Sequence, residues 1–235
     1  MAARSYGQYC GVTTAVELIG ERWALLIVRD LLVGPRRYTD LKQGLPKIPT
    51  NILSTRLKEL QDSGVVRRVP LPRCGLVYEL TDYGRELEPV VLALGRWGFR
   101  SMGDPGDDDV VTPDSLTMAL RTAFQSAVAA ERPRADYELH VGEVVLRAIV
   151  RGDRLSVVQV DSGRPVDPAR SSSVSGEADV VIAAGPGIRR VISGELTADD
   201  ALAQGVWEVV SGESALLEQF AETFHIGIDR ADSVE

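Results

Sequence analysis

Between Thr50 and Ser63 the side chains Asn51, Ser54, Thr55 and Lys58 recur at the spacing of one helix face, while Ile52, Leu53, Leu57 and Leu60 fall on the other. The chemistry open to such a polar face is the reading of base edges and phosphates. Asn pairs bidentately with adenine, Ser and Thr hydroxyls donate and accept, and Lys reaches guanine or a phosphate. Thr50, which opens the helix, is grouped with them. Arg56 falls beside the apolar stripe, where a phosphate or an intramolecular carboxylate suits it better than a base. An ordinary amphipathic surface helix divides its faces in the same way, so the reading rests on what surrounds the helix.

The surrounding elements are those a DNA-reading helix needs. Upstream, Thr39 reads as the N-cap of a short helix over residues 39–44, where its hydroxyl and the first backbone N–H groups would face a phosphate. The breaker Leu45-Pro46-Lys47-Ile48-Pro49 separates that helix from Thr50–Ser63, and Gly64 ends the second one. Beyond Gly64 the period turns strand-like in Val65–Val69 and Leu76–Leu80. Residues 70–75 form the tip of this hairpin, with Arg67 and Arg68 entering it and Arg73 at its end. Thr14–Ile19 and Glu21–Val33 read as two earlier helices, the second apolar on nearly every side and so expected to be buried. Thr81 opens one long helix carrying Leu87, Val90, Val91, Leu94 and Trp97. The order is helix, helix, helix-turn-helix, hairpin, helix.

Charge supports the same division. Residues 1–103 carry 15 Lys and Arg against 10 Asp and Glu, whereas residues 104–235 carry 11 against 24. Only the first half therefore favours a polyanion, and residues 35–75 concentrate nine cations against three anions. Gly, Pro and Asp residues over 103–113 mark a linker. The organisation expected is a DNA-binding and dimerisation domain over 1–102, that linker, an α+β domain over 114–228, and a tail over 229–235.

In the second domain Thr112-Pro113 caps a helix with Leu116, Leu120, Phe124 and Val128 on one stripe. Strands follow at 137–141, 144–150 and 155–160. A Ser/Pro-rich loop over 161–176 leads to a strand at 179–184, and helices flank a last strand at 206–210. The fold class is α+β, a winged helix-turn-helix followed by a domain with a mainly antiparallel sheet and helices on one face.

The lone cysteines Cys10 and Cys74 and the scattered histidines His140 and His225 imply neither a disulfide framework nor a metal. No cofactor is implied. Nucleophile-elbow, P-loop, zinc-protease and dinucleotide signatures are all absent, so the chain reads as no enzyme. The sequence has no run of apolar residues long enough to span a membrane and no secretory leader, which predicts a cytoplasmic protein.

Cys10, the runs 17–41, 52–60 and 64–68, and Tyr78–Leu87 together resemble the HxlR-type winged-helix regulators, relatives of the MarR group, over residues 8–102. The resemblance implies a homodimer formed through the first and last helices of the domain, with each recognition helix in a major-groove half-site of duplex DNA. By the same comparison Arg36 and Arg37 lie near the DNA backbone or lock their turn. Cys10 is similar to N-terminal cysteines that sense oxidants in parts of the family, although Gly11 stands where relatives commonly have proline; a small packed residue is the alternative. Residues 115–226, above all Ile192–Glu213, resemble a sterol-carrier-like domain. That likeness implies an apolar small-molecule effector, with Phe124, Trp207, Phe220 and Phe224 either lining a cavity or filling a core. The expected function is a transcriptional regulator, as a repressor. The rival is an apolar-ligand carrier whose first domain only dimerises.

Overall fold

The computed structural model describes residues 5–72, 74–106, 108–160 and 176–227. These form two compact units, the first running to Val91 and the second starting at Leu92. Among the described residues no helix is long and apolar enough to cross a membrane.

The first unit begins with α1 (Gly11–Ile19), one turn longer than its sequence suggests. α2 (Ala24–Val33) starts three residues later than expected, because Trp23 turns the chain through a left-handed conformation at φ 81°. α2 buries Ala24, Ile27, Val28, Leu31 and Leu32 but leaves Leu26 exposed, so it is central without being enclosed. α3 (Tyr38–Gly44) and α4 (Thr50–Asp62) follow across the proline-bounded turn, and Gly64, at φ 72°, ends the pair.

β1 (Val66–Leu71) pairs antiparallel with β2 (Gly75–Leu80) from Val66↔Leu80 to Leu71↔Gly75. The strands run further toward the tip than their sequence suggests, and the Cys74 amide donates to the Leu71 carbonyl at 3.0 Å to close the turn. Pro70 is accommodated because β1 has no second neighbour in this sheet. β2 does gain one: Arg36 and Tyr78 exchange backbone hydrogen bonds of 2.9 and 2.8 Å.

The single helix expected after Thr81 is two, α5 (Asp82–Arg85) and α6 (Glu88–Phe99). Thr81 caps α5 by accepting from the Gly84 amide at 3.1 Å and donates to the Gly64 carbonyl at 2.6 Å. Only glycine fits at 84, since a Cβ there would run into the Val65 carbonyl. The division between the units falls within α6, none of whose residues is buried.

In the second unit Thr112 caps α7 (Pro113–Ala123) by accepting from the Ser115 amide at 3.2 Å. The apolar stripe does not continue as one helix. Phe124 is extended and pairs with Phe224, so α8 (Ser126–Ala130) is a separate turn. The strands are β3 (Ala135–Val141), β4 (Val144–Arg151), β5 (Arg154–Gln159), β6 (Val180–Ala184) and β7 (Trp207–Gly212), in the order β5-β4-β3-β6-β7. All neighbours are antiparallel except β3 and β6. Between β6 and β7 lie α9 (Ile188–Ile192) and α10 (Ala198–Ala203), and α11 (Leu216–Thr223) follows β7. Tyr137, Leu139, Leu146, Ala148 and Ile182 give one sheet face to a core shared with α7, α9 and α11. On the other face Arg147 Nε donates to Asp136 Oδ1 at 2.7 Å, and both side chains are buried. The Ser/Pro-rich stretch 161–175 lies outside the described residues.

Candidate nucleic-acid interface

α4 buries Leu53, Leu57 and Leu60 and leaves Thr50, Asn51, Ser54 and Lys58 exposed, with Thr55 half-buried. The hydroxyls are already engaged: Thr55 Oγ1 donates to the Asn51 carbonyl at 2.9 Å, and Ser54 Oγ donates to the Thr50 carbonyl at 3.1 Å. The side chains of Asn51 and Lys58 have no partner among the described residues, and they are the groups on this face free to meet a base or a phosphate.

The face is held by a residue that the periodicity did not single out. Tyr38, at the start of α3, donates from Oη to the Thr50 carbonyl at 2.9 Å and lies 3.2 Å from Ser54 Oγ. It thereby fixes the first turn of α4 against α3. The signal for it is weak, because a tyrosine beside a basic turn has many other uses.

Thr39 needs correction as a DNA contact through a cap, and Arg36 and Arg56 each take, of the two places open to them, the one that does not meet DNA. Thr39 is not an N-cap: α3 starts at Tyr38, its cap is Arg37, and Thr39 is exposed within the first turn. Asp40 makes the capping contact by accepting the Arg37 amide at 2.8 Å, a role a guanidinium cannot fill because it has no acceptor. Arg36 is buried, with Nη1 donating to the Pro35 carbonyl at 2.8 Å, so it locks the turn and does not face solvent. Arg56 is the intramolecular tie that its place beside the stripe allowed. It is 3.0 Å from Glu21 and also pairs with Glu59, which leaves it little reach toward DNA.

The remaining cations are outside the core. Arg37 is partly exposed and pairs with Asp40 through Nε and Nη2 at 3.0 and 2.9 Å, so a phosphate there would compete with a carboxylate. In the hairpin Arg67 pairs with Glu79 at 2.7 Å, while exposed Arg68 lies over the Tyr78 ring at 5.7 Å. Arg73 lies outside the described residues.

Cys10 is exposed and immediately precedes α1. The Thr13 and Val12 amides that open α1, with the Thr13 side chain, draw its thiol below the usual cysteine range. The thiolate forms at lower pH than in a free cysteine, so reactivity should rise earlier on a pH titration. In a Cys74→Ser background, the pH midpoint for alkylation of Cys10 by iodoacetamide should lie below that of a short cysteine peptide. A midpoint at or above the peptide's would remove the helix-terminus argument.

The aromatics named for the second unit interlock. Phe220 packs against Tyr137, Phe224 and Trp207 with ring centroids 5.2, 4.6 and 6.0 Å apart, and Phe124 meets Phe224 at 5.9 Å. Trp207 Nε1 donates to the Ala198 carbonyl at 3.0 Å. A groove of about 680 Å³ in the same unit is lined by none of these four side chains.

A helix-turn-helix with an exposed polar face on its second helix, followed by a basic hairpin, defines a winged DNA-binding regulator. Residues 18–104 match the HxlR-like helix-turn-helix family. The HTH-type transcriptional regulator YvaP of Bacillus subtilis, itself uncharacterised, is 39% identical over 35% of this chain and 79% of its own. The regulator YodB of the same organism is 34% identical over 40% of this chain and 85% of its own. Among solved structures, the redox regulator HypR in its oxidised form is 31% identical, covering 41% of this chain and all of its own (100%), with a TM-score of 0.37. The quinone-bound YodB structure is 32% identical, covering 37% and 93%, with a TM-score of 0.33. The chain belongs to the HxlR-like helix-turn-helix family and is a DNA-binding transcriptional regulator.

Proposed function

We propose that this regulator is a cytoplasmic homodimeric repressor that places α4 of each protomer in a major-groove half-site of its operator. The observation that carries the reading is the exposed, unpartnered pair Asn51 and Lys58 on a helix whose opposite face is buried and whose first turn is pinned by Tyr38. Thr50, Ser54 and Thr55 flank them as weaker contacts, and Arg37, Arg68 and Arg73 supply phosphate contacts. Dimerisation is supported by apolar side chains left in water: Val12 and Val16 on α1, and Val90, Leu94 and Trp97 on α6. A monomer with such faces is a candidate for association through them.

Oxidation of Cys10 modulates DNA binding in this reading, supported by its exposure and lowered thiol pKa. The second unit is a sterol-carrier-like sensor domain in the same reading, supported by its five-stranded α+β architecture and by the stretch Ile192–Glu213.

The test is retention of DNA fragments flanking the protein's own gene, at two salt concentrations and with excess competitor. An operator reader retains one fragment selectively and loses it steeply as salt rises. Equal, weak retention of every fragment would overturn the assignment of α4 as a sequence reader.

A further inference from the structure

We propose that the groove in the second unit bounded by α8, α11 and the segment between α9 and α10 binds a small organic cation with an apolar body. Its volume of about 680 Å³ falls in the range of small-molecule sites, about 300–1,000 Å³. The floor is apolar: Val128, Leu196, Ala198 and Ala221 line it, and Leu196 is itself part of the core. Gly194 lets the His225 ring lie against the backbone there, since a Cβ at 194 would sit 2.7 Å from the ring Cε1.

The rim decides the occupant. Glu131, Asp199 and Glu218 line it without a cationic partner among the described residues. The arginine of the lining, Arg132, is already held by Glu222 at 2.6 Å. An anion brought to this groove meets three uncompensated carboxylates, and a neutral body leaves them unused. A cation gains from each of them over an apolar floor that shelters its non-polar part. The surplus of acidic residues over 104–235, 24 against 11 cations, adds a long-range field of the same sign. The groove is lined by residues of the second unit alone, and its test does not use operator binding.

Tetraphenylphosphonium and tetraphenylborate are suitable probes, because they match in shape and apolar area and differ in the sign of charge. Calorimetric titration of the full chain should show saturable binding of one phosphonium per chain, with the borate at least tenfold weaker. Each rim carboxylate is exposed and worth a few-fold at most, so the triple variant E131Q/D199N/E218Q should weaken phosphonium binding about tenfold. Ala221→Trp, which fills the floor and leaves the rim carboxylates in place, should abolish binding, and the triple variant, whose changes are all at exposed positions, should melt as the unaltered protein does. Equal affinity for the two probes would reduce the groove to an apolar patch and overturn the proposal. So would the absence of saturable phosphonium binding up to millimolar concentration, or unchanged binding by Ala221→Trp.

Discussion

Replacing Asn51 and Lys58 together by alanine should leave the melting curve unchanged and weaken binding to the native operator about 30- to 1,000-fold. Both side chains are exposed and make no hydrogen bond or ion pair among the described residues, so their removal costs the fold little. Loss of a bidentate Asn–adenine pair costs about 1–3 kcal/mol, and loss of a Lys contact to guanine or phosphate adds about 1 kcal/mol, which sets that range. The single substitutions separate the roles. Asn51→Ala should relax discrimination at one base pair while leaving the salt dependence as it was. If Lys58 meets a phosphate, Lys58→Ala should weaken all sequences alike and lower the salt slope by about one. Arg56→Ala is the control, because its guanidinium is spent on Glu21 and Glu59. Unchanged operator affinity in the double variant would mean that α4 is not the reading helix.

What made α4 legible is local. Its apolar residues recur at helical spacing, Pro46 and Pro49 break the chain before it, and Gly64 supplies the left-handed residue that ends it. The same local reading misplaced the start of α3. Thr39 and Asp40 are both capping residues, and the choice between them depends on which side chain reaches back to the Arg37 amide. Arg36 was ambiguous for a different reason. Its burial comes from backbone pairing with Tyr78, a partner 42 residues away that no periodicity reports. The break between α5 and α6 has a local cause that the apolar period hides: Pro89 has no N–H for the Arg85 carbonyl and its ring crowds that turn, so the helix opened by Thr81 ends and a second begins around the proline. In the second unit the parallel pairing of β3 with β6 spans the stretch 161–175, so strand periods identify the members without giving their order. The groove escaped notice because its rim is drawn from α8, α10 and α11, whose acidic residues each look like ordinary solvated positions.

Phe220→Ala should destabilise the second unit by about 3–5 kcal/mol, a large share of the 5–15 kcal/mol that holds a typical domain together. Phe220 is fully buried, and its ring meets those of Tyr137, Trp207 and Phe224, so truncation leaves a void walled by rings that cannot all move inward. Phe220→Leu, which keeps most of the volume, should cost much less. The contrast decides between the two roles open to these aromatics. Side chains lining a ligand cavity already face empty space, and shortening one enlarges that space at little cost; a core residue loses its partners outright. Hydrogen exchange at the β3 and β4 amides should report the loss, while operator affinity should persist wherever the variant remains folded. A destabilisation below about 1 kcal/mol would favour cavity lining. The same cluster sets an alkaline limit. Burial pushes the Tyr137 phenol above its ordinary pKa of 10.0, so the folded state keeps its proton after the unfolded state has begun to ionise. Stability of the second unit should therefore fall as pH rises above about 10, and Tyr137→Phe should flatten that part of the curve. A slope left unchanged by Tyr137→Phe would assign the alkaline loss to other groups.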